Sequence, residues 1–326
     1  MKKRHYILLP IVALLVIYRI GPVMDTAPAD AKLPLVKYDI TSVESYVKNS
    51  EAQYAIKDDN EARILWGDSA QKKTEYALLY LHGFSASWYE GYPTNVNFAE
   101  HFGCNAYFAR LDQHGLVTDD ALLNMKPKDL YDSAKEALLI AKTLGNKVII
   151  MSTSTGGTLS LMLARDYPDL VDGLILYSPN IEIRQSAAKL LTNPWGLQIG
   201  RLSEGGKMRH IEGSALESDY WYLDYRLEGP VYLQQLVEEE MNTKTFEKVT
   251  CPVFVAYYYK DKKNQDDVVS VEAILKMYND LGTDKKEKLA FPDAGRHTIA
   301  FIEAGNPDAV TEASIAFAHK YLGMKE

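Results

Sequence analysis

The chain has 326 residues, 47% hydrophobic and 25% charged, a balance that excludes a disordered or fibrous polypeptide. Its 44 acidic against 36 basic residues give a formal charge of -8, and no Lys/Arg block beyond the N-terminus is long enough to grip phosphates, so nucleic acid is not an expected partner. Cys104 and Cys251 are the two cysteines; they cannot form a disulfide framework or a Cys/His metal site, and each opens an apolar run as a small buried side chain would.

Lys2, Lys3 and Arg4 precede an unbroken apolar run from Tyr6 to Tyr18. The run is short for a spanning helix and suits the hydrophobic region of a signal peptide, with Ala29-Asp30-Ala31 as a cleavage site. If Arg19 snorkels, the run extends towards Met24 and becomes an uncleaved anchor. Either way the basic residues stay inside. The expectation is an exported protein: membrane-anchored through this segment with its body outside the cytoplasm, or secreted or periplasmic if the signal is cleaved. Residues 22–40, rich in Pro, Ala and Asp without a period, read as a tether. The expected division is a signal or anchor over 1–24, a tether over 25–60, and one domain over 61–326 carrying an insertion at about 180–248.

From residue 60 the pattern alternates. Strands are expected at 63–67, 76–84, 104–111, 146–152, 171–179, 251–259 and 286–293. Helices are expected at 92–103, 127–145, 157–168, near 269–282 and near 307–322. The strand runs are continuously apolar, which predicts βαβ units and a mostly parallel sheet with helices on both faces. Residues 180–248 break the alternation with Trp195, Tyr220, Trp221, Tyr222 and Tyr225 among polar and Gly-rich pieces. They read as a cap over one end of the sheet.

The segment "IIMSTSTGGTLSL" (149–161) leaves a buried strand through six small or hydroxylated residues and enters a helix. A sharp strand-turn-helix lifts one side chain above the carboxyl edge of a parallel sheet and aims the following N–H groups at whatever is bonded to it. Ser154 holds that place. Small residues must lie two before and two after it, and Ser152 and Gly156 do, giving S-x-S-x-G where the usual elbow has G-x-S-x-G. A phosphate-binding loop would want Lys after the glycines, where Thr158 and Leu159 stand.

A serine hydroxyl needs a base. Of seven histidines, His297 follows the last strand in "FPDAGRHTIA", on a loop at the same sheet edge as Ser154. The acid to fix its tautomer comes from the loop after "CPVFVAYYY". Asp266 is preferred because the valines of its D-x-V-V arrangement can pin the loop, and Asp261 is the alternative. Oxyanion donors are expected from the Phe84 N–H, freed by the tight turn at Gly83 in "LHGFS", and from the Thr155 N–H.

HGFS, then S-x-S-x-G-G, then D-x-V-V, then a loop His, in that chain order, resembles the α/β-hydrolase superfamily from about residue 62 onwards. The resemblance is closest to the branch of monoacylglycerol lipases, bacterial carboxylesterases and serine aminopeptidase-like hydrolases. "ARLDQHG" (109–115) also looks like that branch's loop after the fourth strand. The resemblance implies acyl-enzyme hydrolysis with Ser154, His297 and Asp266, without metal or organic cofactor. A small-molecule carboxylic ester is the favoured substrate; a peptide amine bound by cap acids (Glu204, Glu212, Glu217, Asp219, Asp224) is the alternative. A non-catalytic binding protein of the same fold is a third reading, against which the intact Ser, His and acid set argues.

Overall fold

The computed structural model describes residues 15–24, 28–68 and 71–325. Its strands are β1 (Arg63–Leu65), β2 (Thr74–Leu81), β3 (Asn105–Phe108), β4 (Gly145–Thr153), β5 (Gly173–Tyr177), β6 (Met208–His210), β7 (Asp224–Arg226), β8 (Val253–Tyr257) and β9 (Lys286–Ala290). The helices that matter below are α1 (Val43–Glu51), α2 (Thr94–His101), α3 (Pro127–Leu144), α4 (Thr155–Asp166), α5 (Gly196–Ser203), α6 (Ala215–Tyr220), α7 (Glu228–Glu240), α8 (Thr243–Phe246), α9 (Val271–Asp280) and α10 (Pro307–Phe317). Seven strands form one sheet in the order β1-β3-β2-β4-β5-β8-β9, with only the β1 edge antiparallel.

Alternation along β2 shows why the sheet is buried on both faces. Ala77, Leu79 and Leu81 pack into one core with α1, α3, α4, α7 and α9, while Leu78 and Tyr80 face a second core with Phe98 of α2 and Phe317 of α10. The register aligns the carboxyl ends: Leu81 pairs with Ser152, Thr153 with Tyr177, and Tyr257 with Ala290. The loops starting at 82, 154, 178, 258 and 291 therefore leave from one edge.

Between β5 and β8 the chain forms α5, the antiparallel pair β6–β7, α6, α7 and α8. Ser214 and Glu217 close a capping box at the start of α6. Trp221, Tyr222 and Tyr225, part of the aromatic cluster seen in the sequence, are buried. The Tyr222 N–H donates to Ser85 O at 2.8 Å, so this insertion is fastened to the loop after β2.

The segment before β1 is more structured than its composition suggests. Val43 and Val47, one turn apart, seat α1 on the core. The buried Lys135 of α3 donates to the carbonyls of Asp30 (2.9 Å) and Lys32 (2.8 Å), strapping residues 30–32 across that helix.

The membrane anchor expected from this segment is corrected. Among the described residues no helix is long and apolar enough to cross a membrane. Residues 15–19 are helical, but the chain then turns at Gly21. Ile17 O and Pro22 O accept from Trp195 of the insertion, and Met24 O from Gln235 of α7. The physical reason is length: the apolar run of residues 6–18 would rise only about 20 Å as a helix, against a hydrocarbon core of about 30 Å. The signal-peptide reading falls largely on residues 1–14, which lie outside the described residues.

Candidate active site

Ser154 sits at the junction of β4 and α4 with φ 54° and ψ -116°, a conformation that non-glycine residues avoid. The turn is held from below: the Ser154 N–H donates to Tyr177 O at 3.0 Å, and its carbonyl accepts from Asn180 N at 2.9 Å. Crowding explains the small residues around it. A Cβ on Gly156 would lie 2.0 Å from Leu81 O, and one on Gly157 would lie 2.6 Å from Pro179 Cβ. Ser152, where a glycine is usual, is buried and fits because its hydroxyl accepts from Ser160 Oγ of α4 at 2.9 Å.

His297 Nδ1 lies 2.7 Å from Asp266 Oδ2. The other carboxylate oxygen of Asp266, which is fully buried, accepts from the backbone N–H groups of Val268 and Val269, each at 2.9 Å. The D-x-V-V arrangement thus works through the peptide groups of the valines, while only the Val269 side chain is buried. Burial raises the Asp266 pKa, but His297 and the two N–H groups outweigh it and leave the carboxyl below its ordinary range. Burial likewise works against a charged His297, yet the charge and hydrogen bond of Asp266, with Glu90 and Asp267 behind them, hold its pKa above 6.5. His297 Nε2 is buried and has no hydrogen-bond partner among the described residues. Asp261 is exposed and turned into its own loop, accepting from Lys263 N, Asn264 N and Asn264 Nδ2. The structure therefore brings Asp266, and not Asp261, to His297.

The loop after β2 supplies the third component. A Cβ on Gly83 would lie 2.8 Å from Glu90 Oε1 and 3.0 Å from Ser154 Cβ, so glycine lets this loop pass close to the serine. Neither the Phe84 N–H nor the Thr155 N–H donates to an acceptor among the described residues. Ser85 follows at φ 63°. His82 is a strut: its Nδ1 lies 2.9 Å from Gly83 O and its Nε2 accepts from Leu111 N, and burial keeps it neutral. The Phe84 ring stands edge-on to Tyr225 of the insertion at 5.2 Å between centroids, and a Cβ on Gly229 of α7 would lie 3.3 Å from Phe84 Cζ. An aromatic wall thus runs from this loop into the insertion.

Two groups at this edge escaped the sequence reading. Glu90 is buried and accepts from the Gly83 N–H at 2.6 Å. Arg296, next to His297, pairs with Glu217 of α6 and donates to Thr298 Oγ1 at 2.8 Å. A lone acid in "SASWYEG" gives no periodic or motif signal; its only mark is an aromatic, uncharged setting that foretells burial.

A family model described as serine aminopeptidase, S33, matches residues 124–303, more than half of the chain, a span that contains Ser154, Asp266 and His297. No curated protein matches the sequence. Among solved structures, the chain is similar to one of two metagenome-derived lipolytic enzymes, LipS and LipT (18% identity, TM-score 0.65, 81% of this chain and 99% of that one). It is similar as well to a monoacylglycerol lipase of Paleococcus ferrophilus (15%, 0.58, 79% and 98%) and to a soluble variant of the monoglyceride lipase of Saccharomyces cerevisiae in complex with a substrate analogue (16%, 0.56, 83% and 94%). At such identities these likenesses speak for the fold, and the fold and the family match agree: the chain belongs to the serine aminopeptidase, S33, family and is an α/β-hydrolase.

Proposed function

We propose that this chain is a serine hydrolase that cleaves carboxylic esters through an acyl-enzyme. One observation carries the reading: the buried Asp266–His297 pair at 2.7 Å, with His297 Nε2 left unpartnered at the edge where Ser154 stands in a strained turn. Asp266 keeps the proton on Nδ1, so Nε2 can accept one. Ser154 Oγ attacks the substrate carbonyl carbon and His297 Nε2 takes its proton. The carbonyl oxygen becomes an oxyanion facing the Phe84 and Thr155 N–H groups. The resulting imidazolium protonates the leaving alcohol, the C–O bond breaks, and water, deprotonated by His297, releases the acid and restores Ser154. The Ser154 hydroxyl makes no helix-capping hydrogen bond, which leaves it available to the imidazole.

The acids of the insertion favour an ester over a peptide with a free amine. Glu217 is paired with Arg296 and Asp224 with His210, while Glu204, Glu212 and Asp219 are exposed. The buried Glu228 is neutralised by Arg201 and Arg226. Phe84 and Tyr225 instead offer apolar surface of the kind an acyl chain needs. In the same reading, residues 180–248 act as the cap of one catalytic domain. The test is covalent: a fluorophosphonate probe should label the protein, Ser154→Ala should abolish labelling, and a short p-nitrophenyl ester should turn over faster than an aminoacyl naphthylamide. Labelling that survives Ser154→Ala removes the serine from its role.

A further inference from the structure

A second carboxylate lies beside the triad, and the mechanism above does not use it. Glu90 is buried in the short helix Trp88–Gly91, among aromatic residues that include Trp88, Tyr89 and Tyr92. Its Oε2 accepts from the Gly83 N–H at 2.6 Å, and its Oε1 would lie 2.8 Å from a Cβ on Gly83, the same point that lies 3.0 Å from Ser154 Cβ. Glu90 and Ser154 thus flank Gly83. The groups that face Glu90 are the Gly83 amide, the Tyr80 hydroxyl, His297 and Arg296. Those that face His297 are Asp266, Glu90 and Asp267. A buried carboxylate is costly to fold, and this one forms no ion pair among the described residues, His297 being paired with Asp266 and Arg296 with Glu217 and Glu303.

We propose that Glu90 is a positioning residue for the reaction at Ser154: its carboxylate fixes the Gly83 amide, and through it the turn that presents the Phe84 N–H, and its charge supplements that of Asp266 on His297. The proposal rests on the serine-hydrolase reading. The two roles differ in their dependence on pH. Burial, only partly offset by the Gly83 N–H, His297 and Arg296, raises the Glu90 pKa to about 7. Its charge is therefore present at alkaline pH and fades as the medium becomes acid.

The experiment measures kcat and KM for a short p-nitrophenyl ester from pH 5 to 9 in the whole chain and in Glu90→Gln, Glu90→Ala and Ser154→Ala. Glutamine keeps an acceptor for the Gly83 N–H and removes the charge. Its alkaline kcat should stay within about twofold, while the acid limb of kcat/KM moves down by roughly half a pH unit, because a less stabilised imidazolium loses its proton sooner. Alanine removes the acceptor as well, and kcat should fall about tenfold or more with KM nearly unchanged, since an oxyanion donor acts in the transition state. An acid limb that stays in place in Glu90→Gln, together with an unchanged kcat in Glu90→Ala, overturns the proposal. If Glu90→Ala does not fold, the limb of Glu90→Gln decides alone. Turnover that persists in Ser154→Ala would instead overturn the serine-hydrolase reading, whatever the Glu90 variants do.

Discussion

Replacing Asp266 by Asn changes one oxygen for an NH₂ group, and the surroundings dictate which way the amide must face. One carboxylate oxygen accepts two backbone N–H groups, from Val268 and Val269, both at 2.9 Å. Turning the NH₂ towards them would set donors against donors in a buried place, at about 1–3 kcal/mol for each group left unpaired. The amide oxygen therefore stays with the valines and the NH₂ points at His297 Nδ1. That nitrogen must now accept, so the ring proton moves to Nε2, where it blocks proton transfer from Ser154. The loss expected of a reversed tautomer is about 10⁴ in kcat, equivalent to about 5 kcal/mol of barrier. Raising the pH does not restore the rate, because the defect is the tautomer and not the charge. Asp261→Asn, in an exposed loop that folds back on itself, should stay within about twofold. Burst-phase release of p-nitrophenol and the rate of fluorophosphonate labelling measure both variants. A loss below tenfold for Asp266→Asn, or equal mild losses for the two, would refute the assignment of the acid.

The native enzyme should lose activity as pH falls through the raised pKa of His297: the protonated ring is the favoured form below that value and cannot accept from Ser154, so the limb should lie above 6.5. A limb at or below 6.5 contradicts the Asp266 coupling. Gly156→Ala brings a Cβ to 2.0 Å from Leu81 O, more than 1 Å inside ordinary contact with backbone that cannot rotate away. We expect about 2–3 kcal/mol of lost stability by denaturant melt and about 100-fold in kcat from the displaced turn, while Gly206→Ala, with open space around it, changes neither. Glu217→Gln cuts the tie between α6 and the residue before His297; because both side chains are partly exposed, the cost should be about 1 kcal/mol, and it should shrink in high salt.

What could be read from the chain depended on whether a residue's role is local. The continuously apolar strands foretold a two-sided sheet, and the helices fell within a few residues of their expected bounds, because those patterns are written within each segment. Ser154 was legible for the same reason: Gly156 and Gly157 are demanded by contacts with Leu81 and Pro179, and a run of small residues after an apolar strand records that demand. His297 and Asp266 were singled out by their places, after the last strand and in the D-x-V-V loop, since nothing in "FPDAGRH" or "NQDDVV" states that the two meet. What separates Asp266 from Asp261 is the 2.7 Å contact with His297 Nδ1, made possible by an Asp266 Oδ1 bound to two peptide N–H groups, a turn that the D-x-V-V spelling permits without requiring. As an anchor the apolar N-terminal run misled, because hydropathy cannot register that the carbonyls of Ile17, Pro22 and Met24 accept from Trp195 and Gln235, far along the chain. Glu90 was invisible for a related reason. A carboxylate is ordinarily a surface residue, and what makes this one unusual is a single amide seven residues earlier, held beside a serine from another strand. The residues of the candidate site left marks in the sequence; the groups packed around them are tied in by contacts that only the folded chain creates.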